Sequence, residues 1–212
     1  MPDVIEIPLF PVPLFKLKVT NHAKIKKYLM DNIYPHFLKN GVNDTAANVY
    51  TDYIPGAVKA PWAMLSKFYD KDITEFLKTT GIDFNKGWSY DLTCWYGMMT
   101  DTNNTLVHDH TGGPSNIQWS GVHYIELDTS NTNGTIFLNP NARMMKGVVP
   151  TKDTTKLPDL YRPYDKQCTV EEGDLVLFPS WLDHRTPDYS GALRVVVAMN
   201  IMLKLDGEII GY

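Results

Sequence analysis

The stretch Gly173-Asp174-Leu175-Val176-Leu177-Phe178-Pro179-Ser180-Trp181-Leu182-Asp183-His184, with Arg194-Val195-Val196-Val197-Ala198-Met199-Asn200 shortly after it, decides the fold. Glu172-Gly173-Asp174 is a turn signal, and residues 175–178 are a short, wholly apolar run ended by a proline. That is the pattern of a fully apolar strand that delivers the chain to a Pro-bounded turn. The second run alternates. Arg194, Val196, Ala198 and Asn200 share one face, while Leu193, Val195, Val197, Met199 and Ile201 share the other.

Arg194 is the physical anomaly in that strand. The chain has four arginines against sixteen lysines. A buried guanidinium needs an anionic partner, because an unpaired buried charge costs several kcal/mol or more. Arginine is the preferred bidentate clamp for a carboxylate. An ion pair with an Asp or Glu of the same chain would satisfy it as well as a ligand would.

Further strands are predicted at 88–99, 105–110, 117–127, 134–138, 167–170, 174–179 and 192–204, separated by Gly-, Asn- and Pro-rich turns. Residues 4–19 read as extended, but two close prolines restrict them to an edge strand or arm. A helix follows, capped by Thr20 or Asn21. Ile25, Leu29, Ile33 and Phe37 form its apolar stripe, Pro35 disturbs its end, and Gly41 closes it. Residues 42–60 read as loop. A second helix is expected over about 61–80, opened by Pro61 and closed by Gly81, with Leu65, Phe68, Ile73, Phe76 and Leu77 inward. Strands after two helices predict a mainly β protein, a β-sandwich or jelly roll with both helices packed on one sheet. The whole of 1–212 reads as one domain, with an arm and helices over 1–87, a core over 88–212 and an insert at 139–166. An insert that long is expected to be a lid or binding loop.

Composition removes several function classes. The formal net charge of −4 disfavours direct double-stranded DNA binding. No apolar run approaches the ~20 residues of a membrane helix. Met1-Pro2-Asp3-Val4 does not read as a signal peptide. Cys94 and Cys168 make neither a disulfide framework nor a CxxC site, so a cytoplasmic protein is expected.

Four of the six histidines lie in the β region. His108 and His110 form a His-x-His pair in Thr105-Leu106-Val107-His108-Asp109-His110. On a strand both imidazoles point the same way, which suits a first-row metal, and Asp109 points away. A surface strand with two polar positions shows the same pattern. His184 follows a buried strand and a Pro-bounded turn, where it can complete a three-ligand facial site or serve as a polar loop histidine. His123 alternates with Val122 and Tyr124 and reads as a core or substrate-facing side chain, not a fourth ligand. His22 and His36 are expected to be solvated on the first helix.

These segments together resemble the 2-oxoglutarate/Fe(II)-dependent oxygenase superfamily. They are most similar to a prolyl-hydroxylase-like subfamily found in bacteria and in tailed phages, including marine ones. The resemblance rests on Pro8-Leu9-Phe10-Pro11-Val12-Pro13-Leu14-Phe15, on His108-Asp109-His110 with Trp119-Ser120-Gly121-Val122-His123-Tyr124, and on 173–184 with 194–200. It implies a double-stranded β-helix (the jelly roll, or cupin-like, fold) and a dioxygenase that hydroxylates a C–H bond, consuming O2 and 2-oxoglutarate and releasing succinate and CO2. It further implies Fe(II) held by His108, His110 and His184, the distal carboxylate of 2-oxoglutarate on Arg194, and Tyr124 lining the cosubstrate pocket. No catalytic residue beyond the metal site is implied.

Two departures stand out. The superfamily has His-x-Asp…His, whereas here the second position is His110. The carboxylate would otherwise have to come from Asp109 through a bulge that turns it inward. Val196 stands where a serine is frequent. Two other readings compete: a cupin-type metal dioxygenase, which lacks its usual glutamate here and leaves Arg194 without a role, and a non-catalytic jelly-roll binding module. The substrate, a protein side chain or a small molecule, is unread. Arg143, Tyr161 and Arg162, with Lys146 and Tyr164, are expected on a substrate-side lid. The proline-rich arm could pack on a second copy of the chain.

Overall fold

A computed structural model of the protein describes residues 12–102, 106–111, 116–127, 133–140 and 165–210. In chain order the elements are β1 (Phe15–Lys18), α1 (His22–Asn32), α2 (Tyr34–Asn40), β2 (Tyr50–Thr51), α3 (Trp62–Leu65), α4 (Asp70–Thr79), β3 (Trp88–Thr102), β4 (Trp119–Glu126), β5 (Asn133–Phe137), β6 (Lys166–Thr169), β7 (Asp174–Pro179), β8 (His184–Arg185), β9 (Tyr189–Leu205) and β10 (Glu208–Ile209). Seven strands form a major antiparallel sheet in the order β1-β7-β4-β9-β3-β2, with β10 paired to β9. A minor sheet runs β6-β5-β8. This is the mainly β, helix-flanked jelly roll expected from the sequence.

Both apolar faces of the major sheet are used. Leu175 and Leu177 of β7, with Val195, Val197, Met199 and Ile201 of β9, pack under Ile25, Leu29, Leu65, Ile73 and Leu77 of the helical segments. Val176, Phe178 and Val196 face the other way, toward Phe137 and Leu182. All six residues of β7 are therefore buried, the physical reason for its unbroken apolar run. The interior face of β9 carries Arg194, and by alternation Asn200 shares that face.

The helices and turns depart from the expected pattern in detail. The first helix is two, α1 and α2, joined at Ile33. Pro35 has no N–H to give and its ring conflicts with the carbonyl four residues back, so one rod cannot continue through it. The second is α3 and α4 joined by a 3-10 turn, Ser66–Tyr69. Val12 to Leu14 precede β1, which pairs along the outer edge of β7 as an edge strand should. The segment read as a loop over 42–60 contains the two-residue β2, paired to Gly97 and Met98. The buried Asp52 just after it accepts hydrogen bonds from the Trp62 indole (2.6 Å) and the backbone N–H groups of Ala60 and Tyr96 (both 3.4 Å). One carboxylate so anchors this connection to α3 and β3.

The predicted strand 105–110 does not form among the described residues. His108 makes a single antiparallel bridge with His184, and the His110 N–H turns to the Ser180 carbonyl at 2.9 Å. The chain changes partner within two residues and no ladder is built. Most of the insert 139–166, including Arg143, Lys146, Tyr161, Arg162 and Tyr164, lies outside the described residues, as do residues 1–11.

Candidate functional site

The backbone places three imidazoles together. His108 and His184 face each other across the bridge, each N–H donating to the other's carbonyl (3.1 and 3.0 Å). Phe137 of β5 pairs with His184 and fixes it from the other side. The ligand-capable atoms of His108, His110 and His184 all lie within 4.8 Å of one another. Ring centroids are 4.4 Å apart for His108 and His184, 5.1 Å for His110 and His184, and 5.4 Å for His108 and His110.

The second nitrogen of each ring settles which atom is offered. His108 Nδ1 is 3.0 Å from the Leu106 carbonyl, and His184 Nδ1 is 2.9 Å from the Leu182 carbonyl. A carbonyl only accepts, so each Nδ1 carries a proton, and Nε2 is the ring nitrogen left to offer a lone pair to a metal. His110 Nδ1 lies 2.5 Å from Asn200 Oδ1 and 2.9 Å from Ser120 Oγ. With the Asn200 oxygen as acceptor, its Nε2 is free as well. Three imidazoles with tethered Nδ1–H groups and converging Nε2 atoms are a donor set that fits Fe(II) or a similar first-row ion. Burial lowers the pKa of His110, a shift that the Asn200 hydrogen bond opposes, and burial lowers that of His184 to about 3. Both rings are therefore neutral, metal-ready bases at pH 7.

Asp109 takes no part. Its carboxylate is exposed and accepts from the Thr111 N–H and hydroxyl, both at 2.9 Å. These bonds lower its pKa. No bulge brings it inward, and the three gathered groups are all histidines.

A cavity of about 390 Å³ opens beside the cluster and is lined by His108, His110, His184 and Arg194. Arg194 is 2% exposed, and its guanidinium carbon lies 5.2 Å from the Tyr124 ring centroid. The Tyr124 hydroxyl is buried, accepts the Thr135 N–H at 2.9 Å and shares a hydrogen bond with the Thr135 hydroxyl. Burial raises the Tyr124 pKa against the opposing pull of Arg194, so the phenol stays protonated.

Sequence reading missed Ser120 and Asn200. They are direct register partners on β4 and β9, and their side chains are 2.9 Å apart. The signal was available, since Asn200 is the only amide on the arginine-bearing face of an apolar strand. His22 corrects an expectation. It is not solvated: its Nδ1 is 3.0 Å from His123 Nε2 and its Nε2 is 3.2 Å from Glu172. His123, buried on the helix side of β4, gives it a hydrogen-bond partner. His123 also bonds the Tyr69 hydroxyl at 2.8 Å and stands apart from the three-histidine cluster.

The two-sheet architecture defines a protein of the double-stranded β-helix class. Residues 93–200, half of the chain, match the family of 2OG-Fe(II) oxygenases, and the chain belongs to that family. No curated protein sequence matches it. Solved structures share the fold at low identity. A Pseudomonas putida prolyl-4-hydroxylase is 13% identical with a TM-score of 0.55, covering 90% of this chain and 92% of that one. The viral collagen prolyl hydroxylase of Paramecium Bursaria Chlorella virus-1, solved as a 2OG complex, is 10% identical with a TM-score of 0.51, covering 89% and 94%. A prolyl hydroxylase from Trichoplax adhaerens, solved with a hypoxia inducible factor peptide fragment, is 11% identical with a TM-score of 0.51, covering 89% and 82%. Among the described residues no helix is long and apolar enough to cross a membrane.

Proposed function

We propose that the protein is an Fe(II)- and 2-oxoglutarate-dependent dioxygenase that hydroxylates a C–H bond of its substrate and releases succinate and CO2. One observation carries the reading: three Nε2 atoms with their Nδ1 protons tied back converge at the cavity that also holds a buried arginine. Fe(II) chelated by 2-oxoglutarate would supply the oxidising power for O2-dependent hydroxylation. His108, His110 and His184 would hold the ion. Arg194 would receive the distal carboxylate of 2-oxoglutarate, with the protonated Tyr124 phenol beneath its guanidinium. Phe178, whose ring centroid is 4.7 Å from that of His184, shields the ligand from water on the core side. A three-histidine set leaves the ion its full +2 charge, one unit more than a two-histidine, one-carboxylate set leaves.

The substrate is a protein side chain or a small molecule that enters through the cavity. Two free thiols, Cys94 and Cys168, suit a reducing cytoplasm. The test is anaerobic titration with Fe(II) and 2-oxoglutarate, watching the weak visible charge-transfer band of the chelate. The band is expected in the wild type, lost in His108→Ala and weakened in Arg194→Ala. Metal retained without the band would favour a cupin-type dioxygenase, and neither metal nor band a jelly-roll binding module.

A further inference from the structure

We propose that Arg185 is a second anion-binding group in this cavity and that the substrate presents a carboxylate to it. The proposal rests on the oxygenase reading for the word substrate, but the anion site itself does not.

Arg185 directly follows His184 and lines the same cavity as the three histidines and Arg194. Its side chain is only 24% exposed, and its Nη1 is buried with no hydrogen-bond partner. Its ion-pair partner among the described residues, Asp188, is 3.9 Å from Nη1 and 68% exposed, beyond hydrogen-bond reach and screened by solvent. A guanidinium left this way in a folded cavity is a donor awaiting an acceptor, and its planar fork matches a carboxylate.

The rest of the cavity agrees in charge. Its three histidines contribute no negative charge, and much of its wall is apolar, including Ala47, Val49, Trp95, Met99 and Leu106. Among the described residues Asp44 is the one acid lining it, and that carboxylate already accepts from the Tyr53 hydroxyl and from the Ala46 and Ala47 N–H groups at 3.1 Å. Arg194 is engaged by 2-oxoglutarate in the oxygenase reading, which leaves Arg185 as the cavity cation that can recognise a different molecule. A substrate with an apolar body and a carboxylate at one end fits this lining.

The experiment is calorimetric titration of N-acetylproline and N-acetylleucine, each as the free carboxylate and as the neutral methylamide. The protein is used in two forms, metal-free and loaded with Mn(II) plus saturating 2-oxoglutarate without O2. For at least one pair the carboxylate should bind about tenfold tighter than its methylamide in both forms, the size of one charge-assisted bidentate contact. Arg185→Gln should close that gap with methylamide binding unchanged, and Arg185→Lys should restore part of it. Equal affinities in the wild type, no binding of any carboxylate, or a gap that survives Arg185→Gln would overturn the proposal. So would a gap abolished by 2-oxoglutarate, which would assign Arg185 to the cosubstrate. Failure of the oxygenase reading is scored separately, as absent heat of 2-oxoglutarate binding to the Mn(II)-loaded protein, and leaves the metal-free comparison intact.

Discussion

His110 Nδ1 lies 2.5 Å from Oδ1 of Asn200, a residue 90 positions further along the chain on an inner strand of the major sheet. Ser120, the register partner of Asn200, completes a triangle with both. The triangle joins the loop that bears His110 to two inner strands of the sheet. His108 and His184 are oriented by backbone carbonyls, so His110 alone among the three depends on side chains for its tautomer.

Replacing Asn200 should therefore weaken the site without unfolding it. In Asn200→Leu the acceptor is lost and His110 is free to rotate or switch tautomer. Metal affinity is expected to fall about 10–100-fold, the usual effect of removing an outer partner of a ligand histidine. Ser120→Ala should cost less, because the Asn200 oxygen remains. Co(II) titration followed by absorbance measures both, and unchanged affinity in Asn200→Leu would contradict the assignment.

Gly134 lies against the Tyr124 hydroxyl. A Cβ there would sit 2.7 Å from the Cys168 carbonyl, 2.8 Å from a Val170 methyl and 3.1 Å from the Tyr124 hydroxyl. The carbonyl belongs to backbone and cannot swing aside. Gly134→Ala should cost about 1–3 kcal/mol in stability, as overpacking does. It should also push the Tyr124 phenol, loosening 2-oxoglutarate more than the metal. Urea denaturation and paired titrations of metal and cosubstrate separate the two effects.

The buried histidine network on the helix side predicts a pH dependence. Glu172 can only accept, so His22 Nε2 carries a proton toward it. His123 Nε2 is 3.0 Å from His22 Nδ1, and with a proton on that Nε2 the neutral His123 accepts at Nδ1 from the Tyr69 hydroxyl. Burial, followed by the nearby His22, pushes the His123 pKa well below its ordinary value of 6.5. The unfolded chain binds this proton first, so the stability is present above pH 6.5 and is lost as pH falls from there toward the folded pKa. The loss from this one group is about 1.4 kcal/mol per pH unit within that window. Urea denaturation between pH 7.5 and 5 should show a shallower decline in His123→Gln than in the wild type, while His184 contributes equally to both. An identical slope in the two proteins would refute the buried neutral assignment.

The sequence exposed what depends on local period and hid what depends on partners. The alternation over 193–201 assigned Arg194 and Asn200 to one face, and β7 showed as a strand in its unbroken apolar run. The split at Pro35 was legible as a disturbance, because a missing N–H is a local fact. The two-residue strands β2 and β8 were not, since two residues carry no period and exist only through Met98, Gly97, Phe137 and Ile136 opposite them. His22 looked solvated because nothing on its own helix announces His123, which is 101 positions away.

The exchange of a carboxylate for His110 is the sharpest test of the metal site. Asp109 is exposed and committed to Thr111, so Asp109→Ala should change Fe(II) affinity by less than about twofold, the scale of a screened surface charge. His110→Ala removes one of three donors and should lower affinity by more than the ~10–100-fold that losing only an outer partner causes. His110→Asp is the informative variant. It supplies an anionic ligand and lowers the net charge of the liganded ion by one unit, while giving up the bond to Asn200. If the three histidines form the site, His110→Asp should recover much of the affinity lost in His110→Ala, and a second change, Asn200→Leu, should then cost almost nothing. Calorimetry on the four proteins reads this directly. A large loss in Asp109→Ala with little in His110→Ala would transfer the third ligand to the carboxylate.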